Sequence, residues 1–352
     1  MTLTHSKKAH TLKAVSLAVA LTLSGISTAN AAGELKIFNW SDYMPQSLLD
    51  KFAKQYDVKV TQDTYDSNET LLAKLKSGVT GYDIAVPGDY MVAILIKEGL
   101  LAKVEPDKLS NFHNIKQDLV DVYFDKGRHY SIPYQYGTTS FMVDTNAYKG
   151  DINTLGILFD TPDELKGKVN MFRDVNDVIN AALRYKGFKT CNSNKAELKQ
   201  VNDLLIKARK NWLSITSDGS REMLVSGDAS VSMLWNGMAL RARMEKPSLK
   251  YAYPKEGMTA WADNIVVLKD AENIENAKLF MNFMLEPENA AALTNFAGYT
   301  AGVNGTSPYL DDKFKDALEL NPPTDAPKAE FVPPCDPDVV RLYDRIWTNL
   351  LK

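Results

Sequence analysis

Residues 35–60 read LKIFNWSDYMPQSLLDKFAKQYDVKV. Leu35-Lys36-Ile37-Phe38 is a short run of strand type. Pro45 then suits the start of a helix, Leu48, Leu49, Phe52 and Tyr56 recur at helical spacing, and Val58 to Val60 restarts a strand. The same rhythm continues downstream. Ser67 stands where an N-cap belongs, Leu71, Leu72 and Leu75 share one helical face, and Gly78 falls at a C-cap. Tyr82-Asp83-Ile84-Ala85-Val86 is another short strand, ended by Pro87-Gly88, and residues 92–96 carry a further helical pattern up to Gly99. Strand and helix in alternation predict an α/β fold, with a mostly parallel sheet covered by helices.

A second block starts near Phe141. Helical patterns span residues 178–185, 198–208 and 277–285, and strands are expected at 231–235 and 265–268. The Pro-rich residues 321–337 read as an extended crossing segment before a last helix at 339–350. Upstream, residues 1–31 read as a secretory leader. His5, Lys7, Lys8, His10 and Lys13 make a basic start, residues 14–26 are apolar, and Ala29-Asn30-Ala31 is a small-x-small cleavage signal. That apolar run falls short of the roughly 20 residues a membrane span needs.

The chain carries 41 Lys and Arg against 44 Asp and Glu, a net of −3, and loss of the three leader lysines takes the net to −6. This argues against nucleic acid, which calls for a basic stripe. Only Cys191 and Cys335 are present. An exported chain meets an oxidising compartment, so these two are expected to pair, two unpaired thiols being the alternative. Outside the leader the histidines are His113 and His129, and no HExxH, GxSxG, P-loop or GxGxxG occurs. We therefore expect no metal, no cofactor and no enzyme. A pair of carboxylates working as a hydrolase is the remaining catalytic alternative.

What stands out is aromatic residues beside carboxylates just after predicted strands. These are Asn39-Trp40-Ser41-Asp42-Tyr43, Pro87-Gly88-Asp89-Tyr90, Trp235-Asn236-Gly237 and Trp261-Ala262-Asp263, with Asp174 and Asp177 ahead of a helix. In open α/β sheets ligands bind near the carboxyl ends of strands. Aromatic faces cover methylenes and attract ammonium groups, and a desolvated ammonium needs an anionic partner. Each piece also has an ordinary structural reading. Trp40 and Trp235 suit a core equally well, Asp174 and Asp177 suit an N-cap and an acidic first turn, and Trp261-Ala262-Asp263 suits an exposed strand start.

Taken in order, several segments resemble the periplasmic spermidine/putrescine-binding component of bacterial ABC transporters. They are Asn39 to Tyr43, Asp66-Ser67-Asn68-Glu69, Tyr82 to Pro87, Ile132-Pro133-Tyr134, Leu234 to Gly237, Tyr253 to Gly257, Trp261 to Asp263 and Phe283 to Pro287. The resemblance runs from about Glu34 to Asn304. It implies two lobes, each a mixed, mostly parallel sheet flanked by helices, with a ligand cleft between them. Residues 34–138 plus 262–298 would form lobe one, and residues 139–261 plus 299–352 lobe two. It further implies that Trp40, Tyr43, Tyr90, Trp235, Trp261 and Tyr299 line the cleft. Asp174, Asp177 and Asp263 would take amines, and Ser41 and Asp42 would give secondary polar contacts.

Three departures bear on selectivity. Gly88-Asp89 stands where the family has a hydroxyl residue, so Asp89 either adds a carboxylate to the site or starts a helix. Asp177 stands where Glu is common, and Pro333-Pro334-Cys335 occupies the place of a polar C-terminal ligand residue. The expectation is a monomeric periplasmic protein that captures a polyamine and docks on a membrane ABC permease. The alternatives are docking on a membrane sensor protein and binding of another small cationic solute.

Overall fold

The computed structural model describes residues 1–2, 33–78 and 81–352. The leader read at residues 1–31 lies, but for residues 1–2, outside the described residues. The first half builds β1 (Glu34–Trp40), α1 (Gln46–Tyr56), β2 (Lys59–Tyr65), α2 (Asn68–Lys76), β3 (Ile84–Ala85) and α3 (Asp89–Lys97). β1 lies between β2 and β3 and runs parallel to both. Its Leu35, Ile37 and Phe38 are buried, as a strand covered on both faces requires. α1 buries Leu48, Leu49 and Phe52. Ser67 caps α2 by accepting from the Thr70 N–H at 3.1 Å. α3 begins at Asp89, three residues ahead of the apolar run read at residues 92–96, and buries Met91 and Val92 in its first turn.

After three short 3₁₀ turns comes β4 (Ser131–Asp144), a strand of 14 residues. The second half then adds α4 (Gly156–Phe159), β5 (Val169–Met171), α5 (Val175–Tyr185), α6 (Lys195–Arg209), β6 (Trp212–Ile215), α7 (Ser220–Ser226), β7 (Val231–Trp235), α8 (Asn236–Glu245) and β8 (Leu249–Tyr251). The chain returns through β9 (Thr259–Val267) to α9 (Ile274–Met284), α10 (Pro287–Ala297) and β10 (Thr300–Ala301). It closes with α11 (Asp312–Lys315), β11 (Glu330–Phe331) and α12 (Pro337–Leu350).

The main path through the sheet is β2-β1-β3-β9-β4-β7-β5-β6. β5 runs parallel to β6 and β7, while β9 runs antiparallel to both β3 and β4. The fold is thus α/β with a mixed sheet. Phe141, read as the start of a second block, lies inside β4. That strand joins the two halves: its start pairs with the end of β9, and its end pairs with β7. The β4–β9 ladder shifts register between Pro133 and Tyr136, where proline has no N–H to give.

Two large cores flank this junction. One gathers Leu35, Phe52, Ile132, Ile265, Phe280 and Phe283. The other gathers Phe141, Val169, Phe172, Ile179, Leu205 and Tyr343. Tyr299, Ala301 and Val303 pack in the first core, and β10 pairs with β4 at Gln135 and Tyr136. Cys191 and Cys335 form a disulfide, as the sequence reading expected, with Cα atoms 5.1 Å apart. It ties the loop after α5 to the chain just ahead of α12. Among the described residues no helix is long and apolar enough to cross a membrane.

Candidate functional site

The carboxyl end of β1 delivers Trp40, whose indole N–H donates to the Val86 carbonyl at 2.8 Å and whose ring packs on Tyr65. Ser41 and Asp42 follow on an exposed turn, Asp42 with φ of 51°. Tyr43 turns inward and is buried. Its hydroxyl donates to Asp263 Oδ2 at 2.7 Å, and its ring meets Tyr134 and Tyr299 edge-on. Asp263 comes from the middle of β9, and Trp261, two residues earlier on the same face, packs on Tyr299 at 5.2 Å. Two glycines permit these approaches. A Cβ on Gly137 would collide with Trp261, and one on Gly237 would lie 2.5 Å from the Tyr299 ring.

Asp89 is buried at the first turn of α3 and accepts from the Tyr123 hydroxyl at 2.9 Å. It is both a helix-start residue and a carboxylate adjoining Asp263, because Gly88 bridges to Asp263 in the sheet. Burial pushes the Asp89 carboxyl up to about 6, with hydrogen bonds from Tyr123 and backbone N–H groups opposing it. Burial also pushes Asp263 up to about 7, eased by the Tyr43 hydrogen bond and reinforced by the nearby Asp89 charge. Both acids sit where an anion is unwelcome without a cation beside it.

The second half contributes α5. Asp174 is its N-cap, accepting from the Asp177 N–H at 2.8 Å, so the ordinary capping role is present. Burial raises the Asp174 carboxyl, and Glu69 across from it adds to the rise. Asp177 is raised well above the usual carboxylate range by burial and by Asp174, while the Thr139 hydroxyl and Arg184 pull it back. Tyr90, on α3, bonds within its own half: its hydroxyl donates to Glu69 at 3.0 Å, and it lies within electrostatic reach of Asp174. Trp235, at the end of β7, packs on Phe172 at 4.8 Å and touches both large cores.

The arrangement therefore brings Tyr43, Asp89, Trp261, Asp263 and Tyr299 into one cluster and Tyr90 toward Asp174 and Asp177. Ser41 and Asp42 share none of these contacts. Sequence reasoning missed Glu69, Tyr123, Thr139 and Arg184. Glu69 lay in a quoted segment without a role. Tyr123 sits in a loop whose sequence has no regular period, and only the folded chain carries it to Asp89. Among the described residues no group of three or more His, Cys, Asp or Glu is placed to hold a metal ion.

A family model described as bacterial extracellular solute-binding protein matches residues 47–322. The chain belongs to that family. This solute-binding protein is 32% identical over 326 residues to the spermidine/putrescine-binding periplasmic protein 1 of Haemophilus influenzae, covering 92% of this chain and 90% of that one. It is 34% identical over 293 residues to the spermidine/putrescine-binding periplasmic protein of Escherichia coli K12, covering 82% of each chain. A solved structure described as a putative spermidine/putrescine ABC transporter from Listeria monocytogenes superposes with a TM-score of 0.82 at 30% identity, covering 90% of this chain and 98% of that one. Solute-binding proteins of this family capture ligands for transporters and are not enzymes.

Proposed function

We propose that this solute-binding protein captures a linear polyamine of the putrescine or spermidine class and hands it to a membrane ABC permease. The observation that carries the reading is Asp263. It is a half-buried carboxylate fixed by the Tyr43 hydroxyl, close to Asp89 and walled by Tyr299 and Trp261. An ammonium there gains a desolvated anionic partner and aromatic faces. Asp174 and Asp177 on α5 offer a second anionic point. Two acidic points with aromatic residues beside them match amines joined by methylenes. A sugar would call for neutral hydrogen-bonding groups, and an amino acid for a cation facing its carboxylate.

In this reading the two large cores are two lobes. β4 and β9 form two crossings, and the third follows Asn304, because β10 and the residues up to Val303 pack with lobe one. The cleft lies where Asp263 faces α5. Trp40, Trp235 and the turn at Ser41 and Asp42 line its mouth. The periplasmic names of the relatives support a place in the periplasm, with residues 1–31 as the leader that takes the chain there.

Titration calorimetry of refolded, ligand-stripped protein with putrescine, cadaverine, spermidine and spermine tests the reading. The expected result is binding of at least one at micromolar Kd or tighter, which is about −8 kcal/mol. No binding of any by a verifiably folded protein would defeat it. Polyamine uptake in a deletion strain tests the permease: uptake that stays normal would favour a sensor protein as the partner.

A further inference from the structure

Behind Asp177 lies a cavity of about 10 Å³, room for about one water. Its walls include Thr139, Asp177, Arg184 and Thr259. Arg184 stands two turns along α5 from Asp177. Its Nη1 donates to Thr259 Oγ1 at 2.8 Å, while its Nη2 is buried with no hydrogen-bond partner. Thr259 is not an arbitrary anchor. It pairs with Glu330 of β11 on one side and Thr139 of β4 on the other, and Thr139 pairs in turn with Trp235 of β7. One row across four strands thus supplies the guanidinium with the Thr259 hydroxyl and the charge of Glu330, and sets Thr139 on the cavity wall with Asp177.

We propose that Arg184 is a positioning residue for ligand capture: anchored on the crossing strands, it lines the same small cavity as Asp177 and sets a fixed cation behind that carboxylate, opposite the side offered to an ammonium. The inference rests on the amine-binding reading of Asp177. Burial and Asp174 both push Asp177 toward its neutral form, and a neutral carboxyl attracts an ammonium weakly. The charges that bear on Asp177 are Asp174 and Arg184 on its own helix, and the Tyr251 phenol on β8 also feels it. Arg184 answers in addition to Glu330 on β11 and the Tyr343 phenol on α12. Within this set Arg184 is the one cation. A guanidinium stays charged throughout the working pH range, so it does this service without titrating itself.

The test is the pH profile of putrescine affinity, by calorimetry from pH 5.5 to 8.5, for wild type, R184Q, R184K and T259V. Each variant's melting temperature is measured alongside. R184Q should lose affinity more steeply than wild type as pH falls, by up to about tenfold per pH unit for one group made to titrate. R184K, which restores the charge, should recover most of the flatter profile. T259V, which frees the guanidinium from β9, should fall between. If R184Q does not fold, the T259V profile decides. R184Q and T259V profiles parallel to that of wild type would overturn the inference while leaving the amine-binding reading intact. Wild type that binds no putrescine at any pH, and no other polyamine, would defeat that reading and this inference with it.

Discussion

Asp263 and Asp89 hold protons that ordinary carboxylates would have lost, at about 7 and about 6. Between roughly pH 4, where the unfolded chain releases these protons, and about 7, the folded protein binds more protons than the unfolded one. The ligand-free protein therefore loses stability as pH rises through that window. An ammonium beside Asp263 reverses the preference by stabilising the charged form. Putrescine should thus raise the melting temperature more at pH 8 than at pH 5, and its binding near pH 6.5 should release protons. Calorimetry in two buffers of different ionisation enthalpy reads that release, and equal heats in both buffers would contradict it. Asp263→Asn should cost about 2–5 kcal/mol of binding, the usual penalty for truncating one partner of a buried charge pair. An Asp263→Asn affinity within twofold of wild type would move the amine elsewhere.

At the scale of elements, the acids fall to the site because of where strands and helices end. Asp263 is on β9 beside Gly88, Asp89 opens α3, and Asp174 caps α5. The sequence made the framework legible: the alternation of short apolar strands and amphipathic helices located α1, α2, α5 and α6 to within a few residues, and the Cys191–Cys335 pairing followed from the exported setting. It hid β4 as one continuous strand, since a buried run interrupted by Pro133 and Gly137 carries no period of two. It also hid Tyr123 and Arg184, whose partners are brought to them only by long-range packing. The disulfide closes a loop of 144 residues. Cys335→Ser should lower the unfolding free energy by up to about 5 kcal/mol in the chain-entropy model. Urea unfolding checks this, and an unchanged midpoint would mean that α12 is held by Val339, Tyr343, Ile346 and Leu350 alone. Gly237→Ala should lower the melting temperature as well as weaken ligand binding, because the added methyl falls 2.5 Å from the buried Tyr299 ring and 2.8 Å from the Gly298 backbone carbonyl; an unchanged melting temperature would contradict it.

For the whole molecule, the charge pattern supplies a reason for the cleft to move. Glu69 on α2 and Asp174 on α5 are like charges facing one another between the two halves, with the Tyr90 hydroxyl already spent on Glu69. Asp177 stands behind Asp174 with the same sign. Without a cation this arrangement carries the repulsion, felt most at the less exposed Asp174, while Glu69 lies open to solvent. With the lobes divided as proposed, rotation about β4, β9 and the segment after Asn304 would separate the charges. In the proposed reading a bound diamine would replace the repulsion with two attractions and draw the halves together, coupling the ligand's binding energy to closure. Small-angle scattering should therefore show a larger radius of gyration for ligand-stripped protein than for the putrescine complex. Raising the salt concentration should shrink the ligand-free form toward the complex, because the exposed member of the repelling pair is screened. Glu69→Gln should shift the same equilibrium toward closure and tighten binding only if repulsion, rather than ammonium contact, is the main role of Glu69. A weaker affinity in that variant would instead place Glu69 among the ligand's own partners. Superposable scattering curves with and without ligand would show a cleft already fixed in the closed form.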